Sequence, residues 1–126
     1  MAKKRISVSS AKAKGRNLQK LTAQKISDIT GIECGKDCDI ESRPMGQSGT
    51  DVILRGEAKK LFPFSVECKA QESWSIPAWI KQAQANEMVG TDWLLVAKRS
   101  REKPVIIMDM DTFFGLMKAV IGDVDD

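Results

Sequence analysis

The sequence predicts an α/β domain with a central mixed sheet and helices packed against it. Its 126 residues are the length of one ordinary domain, and a hydrophobic content of 42% is sufficient for one core. Apolar runs of strand length and runs of helical spacing follow one another in the order helix, three strands, helix, two strands, helix. An interleaved order of this kind is typical of an α/β architecture.

The chain opens with a predicted arm, residues 1–13, which is basic, rich in Ser and Ala and expected to be flexible; residues 14–126 form the predicted domain. The first predicted helix covers residues 16–30 and ends at Gly31, a natural helix stop. Its apolar residues recur near helical spacing: Leu18, Leu21, Ile26 and Ile29.

Three strands are predicted next, over residues 37–43, 51–55 and 62–70. A loop containing Pro44, Gly46 and Gly49 separates the first two strands. Residues 56–60 between the second and third strands are expected to form a hairpin connection. Because proline cannot donate to a sheet, Pro63 is expected at the start of its strand or on an irregular edge.

The second half of the chain continues the alternation. A helix is predicted over residues 77–90, because proline favours a first helical turn and Gly90 favours an end. Two strands follow at 93–98 and 104–108, joined by a charged loop. The last helix starts at Asp109 or Asp111 as N-cap. Its apolar side is formed by Phe113, Phe114, Met117, Val120 and Ile121.

Composition restricts where the protein is expected to act. The sequence contains no run of roughly 20 apolar residues that could span a bilayer. The basic N-terminus has no apolar run behind its charges, unlike a secretory signal. We therefore expect a cytoplasmic protein.

Charge is unevenly distributed along the chain. Residues 1–27 contain eight basic residues and no acid, whereas the remainder contains 12 basic and 17 acidic residues. This asymmetry favours a phosphate-binding segment, although a solvated tail has the same composition. The candidates for DNA contact in this region are Lys12, Lys14, Arg16 and Lys20.

The three cysteines, Cys34, Cys38 and Cys68, are expected to be free thiols. Cys34 and Cys38 are spaced like half of a zinc site. Since the chain has no histidine, the other ligands would have to come from another subunit or from carboxylates.

Charged residues inside an apolar strand give the strongest chemical signal. Glu67 and Lys69 lie two positions apart, so their side chains project from the same face of the strand. Asp51 opens the neighbouring strand and can approach Glu67. Two close carboxylates repel each other unless a cation or proton lies between them, and oxygen ligands favour Mg²⁺, with Mn²⁺ as a substitute. The backbone carbonyl of Cys68 is a candidate for a further ligand.

This arrangement predicts metal-assisted hydrolysis of a phosphodiester. A bound divalent metal lowers the pKa of water and stabilises charge on the phosphate. Lys69 can orient the water or neutralise developing charge. The absence of histidine excludes a serine–histidine site, and the glycine loop lacks the Gly-Lys-Ser/Thr of a Walker motif. The alternative is a surface Glu–Lys pair of little energetic value.

Two segments carry a resemblance to a known family. Ser48-Gly49-Thr50-Asp51-Val52-Ile53-Leu54, followed by Phe64-Ser65-Val66-Glu67-Cys68-Lys69, resembles the PD-(D/E)XK nucleases. Over residues 14–108 the chain is similar to archaeal-type Holliday-junction resolvases and their phage-encoded relatives. Lys14-Gly15 matches the opening of their first helix, and Ser42-Arg43-Pro44 is similar to a step before the catalytic loop. Thr50 replaces the proline of the family name, and Gln19 stands where the resolvases have a metal-proximal glutamate.

The resemblance implies a restriction-endonuclease-like sheet and a site with Asp51, Glu67 and Lys69 as catalytic residues and Asp51, Glu67 and Cys68 at the metal. It also implies a glutamine supplied by the following helix, for which Gln82 is preferred over Gln84. Further candidates for DNA contact are Gln19, Arg43 and Ser48. The tryptophans Trp74, Trp79 and Trp93 could stack on bases, but such positions more often belong to a core or a subunit interface.

The leading hypothesis is a Mg²⁺-dependent, structure-selective DNA endonuclease, a homodimeric Holliday-junction resolvase acting in a host cytoplasm if phage-encoded. A dimer would place two sites on two strands of a junction. The runner-up is a nuclease of the same fold that acts on other DNA, of restriction or repair type. A third hypothesis is a non-catalytic DNA-binding module of this fold.

Overall fold

The computed structural model of the protein describes residues 7–125, with side chains up to residue 122. Its strands are β1 (Ile40–Ser42), β2 (Val52–Leu54), β3 (Phe64–Ala70), β4 (Asp92–Lys98) and β5 (Val105–Ile107). Its helices are α1 (Val8–Thr30), α2 (Gly56–Leu61), α3 (Ile76–Ala85) and α4 (Met110–Asp125). None of the described helices is both long enough and apolar enough to cross a membrane.

The five strands form one sheet in the order β1-β2-β3-β4-β5. The two longest strands, β3 and β4, are parallel neighbours, with α3 in the connection between them. The other neighbours are antiparallel. This is the mixed sheet with flanking helices that the sequence predicted.

The first helix starts earlier than its apolar pattern indicates. It begins at Val8 instead of Arg16, because the hydroxyl of Ser7 accepts a hydrogen bond from the Ser10 N–H (3.2 Å) and the Ala- and Lys-containing stretch has good helix propensity. It ends as predicted at Gly31, whose φ is +73°. Residues 8–13 of the predicted arm are therefore helical, and residues 1–6 of it lie outside the described part of the chain.

The sheet has an apolar core on each face. On one face, α1 packs on the alternate side chains of the central strands, including Val66 and Val96. On the other face, α3 packs through Trp79 and Ala83 on a second set. The members of this second core on β4 are Trp93, Leu95 and Ala97. Trp79 and Trp93 are therefore core residues of a single chain, and Trp74 packs partly buried beside them.

Several predicted boundaries are corrected by the structure. Residues 56–60 were expected to form a hairpin connection but belong to the short helix α2, in which Ala58 is fully buried. The first strand is three residues long, and α3 ends at Ala85 rather than at Gly90. The chain leaves α3 at Asn86, where the Asn86 side chain donates to Glu67 (2.6 Å) and the following turn is bonded to Ser65 of β3.

The last helix leaves its apolar side chains exposed. It begins after Asp109, whose carboxylate accepts a hydrogen bond from the Asp111 N–H (2.9 Å), as expected of an N-cap. Phe113 is 47% and Phe114 62% exposed, and the rest of the predicted apolar side is exposed as well. These side chains do not fill the core of the single chain.

Candidate active site

Backbone pairing brings Asp51 to the middle of β3. The Asp51 N–H donates to the carbonyl of Val66 (2.8 Å), next to the paired residues Val52 and Val66. The Asp51 carboxylate then accepts a hydrogen bond from the backbone N–H of Cys68 (2.7 Å). A carboxylate held at both its backbone and its side chain is preorganised at this position.

Glu67 is the most deeply buried acid of the site, with 2% of its surface exposed. It is flanked by the buried Leu95 of β4 on one side and by Asp51 on the other. One oxygen of its carboxylate accepts a hydrogen bond from the side-chain amide of Asn86 (2.6 Å). The structure thus brings together the two carboxylates that the sequence predicted would meet.

The two carboxylates disfavour each other's charge. Burial raises the pKa of Glu67 to about 7. The hydrogen bond from Asn86 lowers this pKa, and the negative charge of Asp51 raises it. Burial also raises the pKa of Asp51, against the lowering effect of the Cys68 N–H. Near neutral pH this pair favours a shared proton or a bound cation.

Lys69 provides the positive charge of the site. It is half-buried, and it lies on β3 two residues beyond Glu67, so both side chains leave the strand on the same side. Its charge lowers the pKa of both Asp51 and Glu67. The predicted carboxylate–carboxylate–lysine arrangement is therefore present in the fold.

Asn86 was not predicted as a site residue. It caps the C-terminal end of α3, where its N–H donates to the carbonyl of Gln82 (3.1 Å). The following turn is anchored to β3, because the hydroxyl of Ser65 accepts from the Met88 N–H (2.9 Å) and bonds to the Thr91 hydroxyl (2.6 Å). An asparagine at a helix end is the only local signal that could have pointed to this position.

The loop before Asp51 is shaped by Arg43. The Arg43 side chain donates to the carbonyl of Thr50, and its backbone N–H donates to the carbonyl of Asp51 (2.8 Å). Its guanidinium lies where a side chain at Gly49 would be, 2.9 Å from an ideal Cβ, and Gly49 has a φ of +114°. Position 49 therefore requires glycine. The positive charge of Arg43 also lowers the pKa of Asp51.

Gln19 is buried, with 5% of its surface exposed. Its side-chain oxygen accepts a hydrogen bond from Ser42 (3.1 Å) on the face of the sheet that packs on α1. No hydrogen bond joins Gln19 to Asp51 or Glu67 among the residues that the structure describes. A direct role for Gln19 at the carboxylates stays a prediction.

The remaining predicted residues lie outside this carboxylate pair. Gln82 and Gln84 are exposed on α3, and in the described structure neither is hydrogen-bonded to Asp51 or Glu67, so a catalytic role for Gln82 also stays a prediction. Lys14 contacts the loop after β4, and Lys20 lies on a separate hollow beside α1. The exposed candidates for DNA contact are Lys12, Arg16, Lys20 and Ser48.

The donor set of the site fits one hard divalent cation. Mg²⁺ is usually held by one or two carboxylates while it keeps several waters, and Asp51 and Glu67 provide two. Among residues 7–122, whose side chains the structure describes, no group of three or more acidic, Cys or His side chains could hold a metal. Cys34 and Cys38 are half-buried free thiols. They provide two of the four ligands that a structural zinc site needs.

A family model described as phage putative PDDEXK endonuclease matches residues 10–122 of the chain. Searches of curated proteins and of solved structures found no match. The five-stranded mixed sheet with flanking helices is the restriction-endonuclease-like fold expected of such proteins, so that expectation is confirmed. The match also supports the superfamily and the phage relation, whereas the narrower resemblance to archaeal-type resolvases stays a prediction.

Proposed function

This chain belongs to the phage PDDEXK endonuclease family, and on that basis we propose that it is a metal-dependent, structure-selective DNA endonuclease acting as a Holliday-junction resolvase. The observation that carries the proposal is the carboxylate pair of half-buried Asp51 and buried Glu67, beside Lys69. A fold without chemistry at this position gains nothing from two acids inside its sheet, because unpaired buried charge is costly.

Each residue has a distinct part in the proposed reaction. Asp51 and Glu67 would hold the divalent metal, Mg²⁺ or Mn²⁺, and the carbonyl of Cys68 would offer a further oxygen ligand. When bound, such a metal supplies a water of lowered pKa and stabilises charge on the phosphate. Lys69 orients that water or neutralises negative charge on the phosphate under attack. Asn86 keeps the Glu67 carboxylate in place through their hydrogen bond (2.6 Å).

The proposed substrate is branched DNA, and the proposed assembly is a homodimer. One copy offers one carboxylate pair, while a two-fold dimer would offer two sites to the nearly symmetric strands of a junction. The exposed apolar side of α4 is a surface of the kind that joins subunits.

The proposal is tested with labelled four-way junction, flap, duplex and single-stranded DNA in Mg²⁺, Mn²⁺, Ca²⁺ or excess chelator. We expect paired incisions on the junction in Mg²⁺ or Mn²⁺. In Ca²⁺ we expect binding without efficient cutting, because Ca²⁺ accepts looser coordination. Asp51→Ala, Glu67→Ala and Lys69→Ala should each lower the cleavage rate at least about a hundredfold while remaining folded.

Matched controls are Glu57→Ala and Lys60→Ala, which remove an exposed acid and an exposed base on α2. Folded site variants that cut at the wild-type rate, or full activity in chelator, contradict the nuclease mechanism. Metal-independent binding without any cutting supports the non-catalytic module instead. Cleavage of duplex as readily as of junction removes the resolvase assignment and retains a nuclease for other DNA.

A further inference from the structure

A groove of about 590 Å³ lies between the N-terminal half of α1 and the carboxyl ends of β3 and β4. Its floor is apolar and includes Leu18, Leu21 and Ala70. Its rim carries four cations: Lys14, Lys98, Arg99 and Arg101. Glu72 is the one acid among its lining residues, so the groove has a clear excess of positive charge.

The groove lies at the carboxyl end of β3, the strand that also carries Glu67 and Lys69. Ala70, the last residue of β3, and Gln71 line the groove and directly follow Lys69 in the sequence. Because side chains alternate along a strand, Ala70 lies on the face of the sheet that packs on α1, whereas Glu67 and Lys69 leave the opposite face. The groove is therefore a surface distinct from the carboxylate pair.

The four cations of the rim differ in whether other groups of the protein already pair with them. Lys14 donates to the Ser100 hydroxyl (2.6 Å) and lies 3.7 Å from Glu72. Glu72 also accepts from Ser100, and its pKa is held low first by the Ser100 side chain and further by Lys14, so it is ionised. Arg99 is held over the ring of Trp74 at 4.5 Å.

Lys98 and Arg101 carry the available charge. Neither forms an ion pair with any described residue. Lys98 donates only to the carbonyl of its neighbour Arg99 (3.0 Å). Arg101 is exposed and has a φ of +64°, a conformation that residues with a side chain seldom adopt and that recurs at binding sites.

We propose that this groove binds the sugar–phosphate backbone of the substrate DNA, at a surface separate from the carboxylate pair. The proposal rests on the proposed nuclease function and adds a substrate-binding surface to it. The cationic rim matches the phosphates, and the apolar floor matches the carbon face of the deoxyribose. Contacts of this kind position DNA without reading its sequence.

The test measures DNA affinity in Ca²⁺ as a function of salt. The double variant Lys98→Gln/Arg101→Gln should weaken binding and reduce the log–log salt slope by about 1.8, or about 0.9 per lost phosphate contact. Glu72→Gln should act in the opposite direction, because it removes the acid that competes for Lys14. It should tighten binding and steepen the slope by about 0.9.

The matched control is Lys36→Gln/Lys60→Gln, which removes two exposed lysines away from the groove. A groove variant with the slope of this control, or Glu72→Gln with unchanged affinity, overturns the proposal. The gain expected for Glu72→Gln cannot arise from misfolding, so the test holds even if the double variant is unstable. A wild-type protein that neither binds nor cuts DNA contradicts the proposed function itself.

Discussion

At the scale of single residues, the site depends on how Glu67 is held. Its carboxylate lies between Asp51, which disfavours its charge, and the amide of Asn86, which favours it. Hydrogen bonds from outside the metal shell orient ligating carboxylates and set their basicity. Asn86 is therefore a positioning residue, and its effect should be visible in the pH dependence of the reaction.

We expect Asn86→Ala to lower kcat for junction cleavage by a factor of about 10–100, the usual range for a partner of a metal ligand. The Asn86 hydrogen bond lowers the pKa of Glu67. Its loss should raise that pKa further, so the acid limb of the kcat profile should move to higher pH. Cleavage rates from about pH 5.5 to about pH 9 measure both effects.

Gln84→Ala, on an exposed side chain of the same helix, is the control for this variant, and Gln82→Ala examines the predicted catalytic glutamine. Neither substitution should move the acid limb if the Asn86–Glu67 bond is responsible. Should Asn86→Ala lower only the melting temperature and leave the profile in place, Asn86 is a structural cap and the positioning role is wrong.

At the scale of secondary-structure elements, α4 differs from the other long helices. A helix in a globular protein normally buries its apolar stripe, as α1 and α3 do here. On α4 the apolar side chains remain exposed, and on the edge strand β5, Val105 and Ile106 are also exposed. Exposed apolar side chains of this kind are suited to burial against a second copy of the chain.

If the proposed homodimer forms through α4, Phe114→Glu should convert it to a monomer. A carboxylate at the centre of an apolar contact must be desolvated without a partner. The dimer dissociation constant should rise at least about 30-fold, equivalent to about 2 kcal/mol, as for a central interface residue. Sedimentation equilibrium on the pure protein measures the change, and junction mapping shows whether paired incisions become single nicks.

Val89→Glu is the control, since Val89 is 95% exposed in the turn after α3 and away from α4. It should leave the assembly unchanged. A wild-type protein that is monomeric at micromolar concentration, or a Phe114→Glu protein that is as dimeric as wild type, excludes α4 as the subunit interface.

At the scale of the whole molecule, the carboxylates of Asp51 and Glu67 connect stability to pH and to metal. The pKa of Glu67 is about 7 in the folded protein and 4.5 in its ordinary state, and that of Asp51 is raised as well. Between these values the folded protein keeps a proton that the unfolded chain has released. The retained proton therefore contributes fully to the free energy of unfolding below about pH 4.5, and this contribution is lost as the pH rises through about 7.

In excess chelator, we expect the free energy of unfolding to fall between about pH 5 and about pH 8. Added Mg²⁺ should raise the melting temperature more at the upper end of this window, because the cation replaces the shared proton. Denaturant titrations and thermal melts at several pH values measure the two effects.

Glu67→Gln, which still offers an oxygen to Asn86, should flatten the pH dependence and reduce the response to Mg²⁺. Glu57→Gln, at an exposed acid on α2, should change neither. A wild-type protein whose stability rises steadily across the window would mean that the two carboxylates do not share a proton.

The α/β class and the residues of the candidate site could both be predicted from the sequence. Both depend on local chemistry: the two-residue period of a strand places Glu67 and Lys69 on one side, and glycine and aspartate end or start helices at Gly31 and Asp109. The encounter of Asp51 with Glu67 needed only one antiparallel pairing between adjacent strands. Such features can be read without knowing how distant parts of the chain meet.

Contacts between residues that are distant in the sequence could not be predicted, because they depend on the packing of the folded chain. Asn86 reaches Glu67 from the end of α3, Gln19 faces Ser42, and the groove joins α1 to the loop after β4. The same holds for α4, whose apolar pattern fits a core or an interface equally well until packing leaves it exposed. The spacing of apolar residues predicts which face of a helix or strand will be covered. It does not predict which other element will cover that face, because this depends on how all the elements pack together.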